Sequence, residues 1–157
     1  MQILPEAQVC RRIGEEPELF IPAFCNSATI DPELIKKGVE ALREDDSLDS
    51  AVSVSVYNMW SPLRARKIEN NRVVPAVPLD LFENANCDRD SQGDVYFVDN
   101  SVFVVRPKCM DFSYGEPPYK WIGKNVFPLM NWGGLDIDYE WQKGQIEYWL
   151  QQNGFSE

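Results

Sequence analysis

The sequence predicts an α/β domain built on a mixed sheet. Short β-branched runs alternate with two amphipathic helical stretches, the pattern of layered helix and sheet. A hairpin signal in the middle of the chain argues that the sheet is not purely parallel. Hydrophobic residues make up 44% of 157 residues, enough to bury one core and to exclude a disordered chain. One domain spanning 1–157 is expected from that length.

Residues 5–14 read as a short helix with Pro5 in its first turn. Residues 18–24 (ELFIPAF) form an apolar run of buried-strand type, interrupted by Pro22. After a loop at 26–29, Asp31-Pro32-Glu33 supplies an N-cap, a proline at the first helical position and an acid in the first turn. The helix then runs to Arg43, with Leu34, Ile35, Val39 and Leu42 on one face. Residues 49–57 alternate Val with Ser, placing Val52, Val54 and Val56 on one face of a strand. Asn70-Asn71 marks a hairpin turn within 68–77. Residues 78–93 read as a long polar loop. Two strands, 95–98 and 102–105, flank Asp99-Asn100-Ser101, which reads as a turn. A loop over 107–120 precedes a strand at 126–130 and an extended segment at 135–138. The last element is a helix over 141–150 with Ile146, Trp149 and Leu150 as its buried stripe, closed by Asn153-Gly154.

Composition removes several kinds of chemistry. There is no histidine, so Ser-His-Asp and Cys-His arrangements and His-containing zinc sites are excluded. Cys10, Cys25, Cys87 and Cys109 are too widely spaced for a zinc ribbon and are read as reduced thiols of a cytoplasmic protein. The net charge of −10 argues against nucleic acid and anionic membranes as partners. No apolar run approaches the roughly 20 residues of a transmembrane helix.

Four constellations remain. Asp136 and Asp138 stand two apart on an extended segment after Gly133-Gly134, so their carboxylates point the same way and repel unless a cation or a proton lies between them. Oxygen-only ligation of that kind suits Mg²⁺. By local pattern alone, a solvated acidic turn ahead of the last helix is the commoner outcome. Cys87 to Asp94 (CDRDSQGD) concentrates acids, Arg89 and Gln92, either around a ligand or as Arg-Asp pairing on a solvated loop. Asn100 lies between apolar strands, either as a plain turn former or as a polar group set at a site. Arg64, Arg66 and Lys67 follow Trp60-Ser61-Pro62-Leu63, as an anion contact or a solvated basic turn. No G-x-G-x-x-G and no Walker-type phosphate loop occurs.

Read in order, FIPAFCNSATIDPELI, DSAVSVSVYNMWSPLRARKI, CDRDSQGDVYF leading into VDNSVFVV, and GGLDIDYEWQKGQIEYWL make a series. From about residue 18 to its end, the chain resembles the C-terminal two-thirds of acylneuraminate cytidylyltransferases, the CMP-sialic acid synthetase family. The resemblance implies a nucleotidyltransferase (Rossmann-like) three-layer fold. It implies transfer of CMP from CTP to a nonulosonic acid with release of pyrophosphate. Asp136 and Asp138 would hold Mg²⁺ or Mn²⁺, and Asn100 would contact the sugar. Arg89, Gln92 and Arg64 would belong to the substrate loops, and Asn26 and Ser27 would lie near the nucleotide. The family's homodimers make a dimer the expected assembly. Two departures stand out. Asn-Ser-Ala-Thr-Ile replaces the family's Thr-Ser-Pro-Leu-Arg, and the Gly- and basic-rich loop that grips CTP is missing, so the chain reads as N-terminally truncated relative to the family. A catalytically inactive sugar- or metal-binding or interaction module is the competing expectation.

Overall fold

The structure, a computed structural model, describes Gly14, residues 17–112 and residues 114–155. The helix expected over 5–14 therefore lies outside the described residues, apart from Gly14. Residues up to Val54 and from Val98 onward belong to one compact unit, and Ser55–Phe97 form a second.

The first unit carries helix α1 (Pro32–Glu44), strand β1 (Ser50–Val56), strand β4 (Tyr96–Val105), strand β5 (Val126–Met130) and helix α2 (Lys143–Gln152), with β1 and β4 continuing into the second unit. The second unit holds the pair β2 (Arg66–Glu69) and β3 (Arg72–Pro75). The chain is thus mixed α/β. A three-stranded sheet is ordered β4-β1-β5, and a separate two-stranded sheet is antiparallel. β1 and β5 are parallel, with Ser50 opposite Val126 and Val54 opposite Met130. β4 runs the other way. Arg106 N–H donates to Asp49 O at 3.0 Å, and Val102 N–H donates to Ser53 Oγ at 2.8 Å. Pro128 sits in β5, the outer strand among the described residues, where a missing N–H is tolerated.

Each element has a local cause. Asp31 Oδ1 accepts from Glu33 N at 2.8 Å and starts α1. Arg106 ends that helix, donating to Leu42 O, to Asp45 O at 3.3 Å and to Leu48 O at 2.8 Å. Asn70 and Asn71 both take positive φ, 49° and 60°, which a two-residue hairpin turn requires. Residues 18–24 do not form a strand. Pro22 breaks the run, and only Phe20 bridges to Val105.

The sheet is buried on both faces. Val52, Phe103, Val105, Cys109 and Met110 make one core cluster, joined by Trp121 and Ile122. Leu42 of α1 makes the other with Ala51, Val102, Val104 and Leu129. α1 approaches so closely that a Cβ on Gly38 would lie 2.8 Å from Val104 Cγ2. The serines of β1 are buried as well. Ser50 donates to Ile122 O at 2.6 Å, and Ser53 donates to Asp99. The expected stripe of the last helix holds in part: Ile146 and Trp149 are buried, while Leu150 is half-buried. Among the described residues Cys25 and Cys87 are free thiols, and no helix is long and apolar enough to cross a membrane.

One buried charge ties the sheet to the loop after residue 120. The Asp49 side chain is 1% exposed and pairs with Lys108 Nζ at 2.6 Å. Its other oxygen accepts from Lys124 N at 2.8 Å and Asn125 N at 2.9 Å. Burial pushes this carboxyl up. The Asn125 N–H, the Lys108 ammonium and the Lys124 N–H outweigh it and bring it down to about 2.

Two stability predictions follow from this packing. Leu42→Ala leaves a cavity between α1 and the sheet and lowers unfolding free energy by about 2–5 kcal/mol, read from urea midpoints at unchanged m-value. An Asp49 carboxyl at about 2 when folded and about 3.9 when unfolded stabilises the fold above pH ~4, by on the order of 2 kcal/mol. That contribution is lost as pH falls toward 2. Asp49→Asn is therefore expected to be less stable than the parent at pH 7, with the gap narrowing between pH ~4 and ~2 in thermal melts.

Candidate functional site

The residues 99–101, expected as a turn between two strands, lie inside one continuous ten-residue strand, β4. The turn reading fails because the strand runs on through the triplet, with Asn100 as its one residue at positive φ. Asn100 adopts φ 59° and kinks the strand as a bulge does, without ending it. Asn is among the few non-glycine residues that tolerate this conformation.

The bulge gathers three other segments. Asp99, 4% exposed, accepts from Ser53 Oγ, from Ser101 N at 3.1 Å and from Asn131 Nδ2 at 3.0 Å. Asn100 O accepts from Ser27 Oγ at 2.8 Å, and its side-chain amide donates to Asp136 Oδ2 at 3.3 Å. Ser101 Oγ lies 2.6 Å from Thr29 Oγ1. Thr29 Oγ1 also lies 3.1 Å from Leu135 N, which donates to it.

The Asp-x-Asp segment itself is not a strand. It is held residue by residue. Gly134 packs against Asp99 and Asn131, so a Cβ there would overlap the Asp99 carboxylate. Asp136 makes an antiparallel bridge with Ser27. Ile137 N–H donates to Asn26 O at 2.8 Å, and Asn26 Nδ2 donates to Asp138 Oδ1 at 3.3 Å. The Asp138 and Tyr139 N–H groups both donate to Gln142 Oε1 at 2.7 Å. Tyr119 lies within reach of the Asp136 charge. Burial, and then the Asp136 carboxylate, pushes its hydroxyl above the usual tyrosine range.

Five sequence-predicted residues, Asn26, Ser27, Asn100, Asp136 and Asp138, are thus brought together from three separated stretches of chain. Arg64, Arg89 and Gln92 belong to the Ser55–Phe97 unit. There Arg89 Nε lies 3.3 Å from Asp90 Oδ1, so the internal Arg-Asp pairing is the arrangement found. The Asn58 amide first, and then Arg89, holds the Asp90 carboxyl below its usual range. Gln92 Nε2 donates to Glu83 O at 2.9 Å, and Arg64 Nη2 donates to Cys87 O at 2.9 Å. Arg64, Arg66, Leu79 and Cys87 help line a cleft of about 590 Å³ in that unit.

Sequence reading missed four contributors. Gln142 was open to discovery, because Tyr139-x-x-Gln142 has the spacing of a capping box. Asp99 was visible as an acid inside a β-branched run. Thr29 and Tyr119 carry no local signal, since only the fold brings them to the site.

No protein-family model and no curated protein sequence matches this chain.

The contact of Gly134 with Asp99 makes a specific prediction. Gly134→Ala forces the overlapping groups apart and costs about 1–3 kcal/mol, measured by thermal or urea unfolding.

Proposed function

We propose that this chain is a cytidylyltransferase-type domain of the acylneuraminate cytidylyltransferase family, with the nucleotidyltransferase (Rossmann-like) three-layer fold. The observation that carries this reading is the convergence of Asn26, Ser27 and Asn100 on the Asp136–Asp138 segment. The ordered motif series implies that grouping, and nothing local in the sequence requires it.

The donor set fits Mg²⁺ or Mn²⁺. Asp136 and Asp138 offer only oxygen. Among the described residues, no Lys or Arg forms an ion pair with either of them. Also among the described residues, no group of three or more His, Cys, Asp or Glu stands ready to hold a metal. Two carboxylates completed by waters and substrate phosphates are the usual protein share of a Mg²⁺ site. A bound ion supplies charge neutralisation at the triphosphate and a lowered pKa for the sugar's anomeric hydroxyl.

In the reaction, the anomeric hydroxyl of a nonulosonic acid gives up its proton to solvent as its oxygen bonds to the α-phosphorus of CTP. The α–β anhydride bond breaks and pyrophosphate leaves with its electron pair. The chain's own part is to hold the two carboxylates in place. Arg64, Arg89 and Gln92 are assigned to substrate contact. Ile68 and Val73, 69% and 68% exposed on the two-stranded sheet, are assigned to the interface of a homodimer, and the compartment to the cytoplasm.

The test is release of pyrophosphate from CTP, Mg²⁺ and N-acetylneuraminate or a related nonulosonate. Turnover is expected, with at least a hundredfold loss in the double variant Asp136→Asn, Asp138→Asn, as for removal of an essential electrostatic group. A folded sample that neither binds CTP nor turns over would overturn the enzyme reading in favour of a non-catalytic module.

A further inference from the structure

The hairpin of the second unit has an open edge. Among the described residues β2 pairs with β3 alone, and every residue of β2 is exposed. The register decides which main-chain groups turn outward. Glu69 and Arg72 close the two-residue turn, and Ala76 N–H donates to Ala65 O at 3.0 Å. Hydrogen-bonded and non-hydrogen-bonded pairs alternate along an antiparallel ladder, so Ile68–Val73 and Arg66–Pro75 are the non-hydrogen-bonded pairs. The N–H and C=O of Ile68 therefore point away from β3. On the far edge of β3, Pro75 has no N–H to offer. We propose that β2 pairs antiparallel with β2 of a second copy of this chain, about a two-fold axis at Ile68, and this rests on the homodimer reading given above.

Three observations fix this edge and register. The first is hydrogen bonding. Two copies of Ile68 set opposite each other exchange a pair of main-chain hydrogen bonds, using the groups that the hairpin leaves outward. The second is charge. Residues directly opposite across strands share a face, so a two-fold axis centred on β2 sets either Ile68 or Lys67 against its own copy. With Lys67 at the axis, like charges meet. With Ile68 at the axis, each Lys67 lies opposite the partner subunit's Glu69. Lys67 Nζ already lies 2.9 Å from Glu69 Oε1 within the chain, so both charged heads are on one face of the ribbon. The third is apolar surface. Ile68 and Val73 are directly opposed and are 69% and 68% exposed. The pairing aligns them with their copies as one apolar row across the joined ribbons, on the face away from Lys67 and Glu69.

A charge-reversal pair tests this. Sedimentation equilibrium is run on the full chain at up to roughly 1 mM, because so small a contact belongs to the weak class. A reducing agent keeps the exposed Cys25 and Cys87 from cross-linking. The parent is expected to dimerise. Lys67→Glu sets acid against acid on both sides of the axis and should weaken the dimer Kd roughly tenfold. Glu69→Lys combined with Arg72→Glu sets ammonium against ammonium there, keeps opposite signs within the hairpin, and should weaken it similarly. An equimolar mixture of the two variant chains restores both opposite pairs and should associate within about threefold of the parent Kd. A hairpin merely loosened by the substitutions is not rescued by mixing. Two variants that dimerise like the parent, or a mixture no tighter than either alone, would overturn the β2 pairing and leave the homodimer to another surface. A parent that stays monomeric throughout would overturn the homodimer reading itself and the pairing with it.

Discussion

The bulge at Asp99-Asn100-Ser101 is the constraint on which the rest of the first unit depends. Three successive residues of β4 hold β1, the 26–29 loop and the 131–138 segment. Asp99 binds Ser53 of β1 and Asn131 after β5. Asn100 meets Ser27 and Asp136, and Ser101 meets Thr29. A regular strand would send alternate residues to opposite faces. One left-handed residue breaks that alternation, and hydrogen bonds from this stretch tie the 26–29 loop to the 131–138 segment. Asp99, Ser101 and Thr29 are buried, so their hydrogen bonds are made away from water, where breaking one is expensive.

Much of this was legible from residue types, and the rest was not for identifiable reasons. α1 announced itself through Asp31-Pro32-Glu33 and a single apolar face, because capping and periodicity are local. The hairpin was legible for the same reason, since Asn70-Asn71 tolerate the positive φ the turn needs. β4 was misjudged because Asp-Asn-Ser has the composition of a turn. Whether such a triplet ends a strand or bulges it is decided by partners in distant segments. Residues 18–24 have strand composition, yet Pro22 limits them to a single bridge. At the site, Asp136 and Asp138 could be picked out by spacing, but the amides that accompany them come from residues 26 and 100 and only the fold supplies them. Tyr119 is the clearest case of a residue without a signal, since only the fold brings it within reach of the Asp136 charge.

The acids of the chain are answered in different ways. Its net charge is −10. The buried Asp49 is answered by Lys108 and two backbone N–H groups, and the exposed Asp90 by Arg89. Asp136 and Asp138 are treated differently. They receive neutral amide donors, which set direction without removing charge.

The central claim is that Asp136 and Asp138 share a divalent cation. Anomalous diffraction from crystals grown with Mn²⁺ tests it most directly, since the ion's own scattering marks its position. The account predicts an anomalous peak within about 2.0–2.4 Å of one oxygen of each carboxylate, on the oxygens not bonded to Asn26 and Asn100. Crystals at saturating Mn²⁺ with no peak between the two side chains would contradict it.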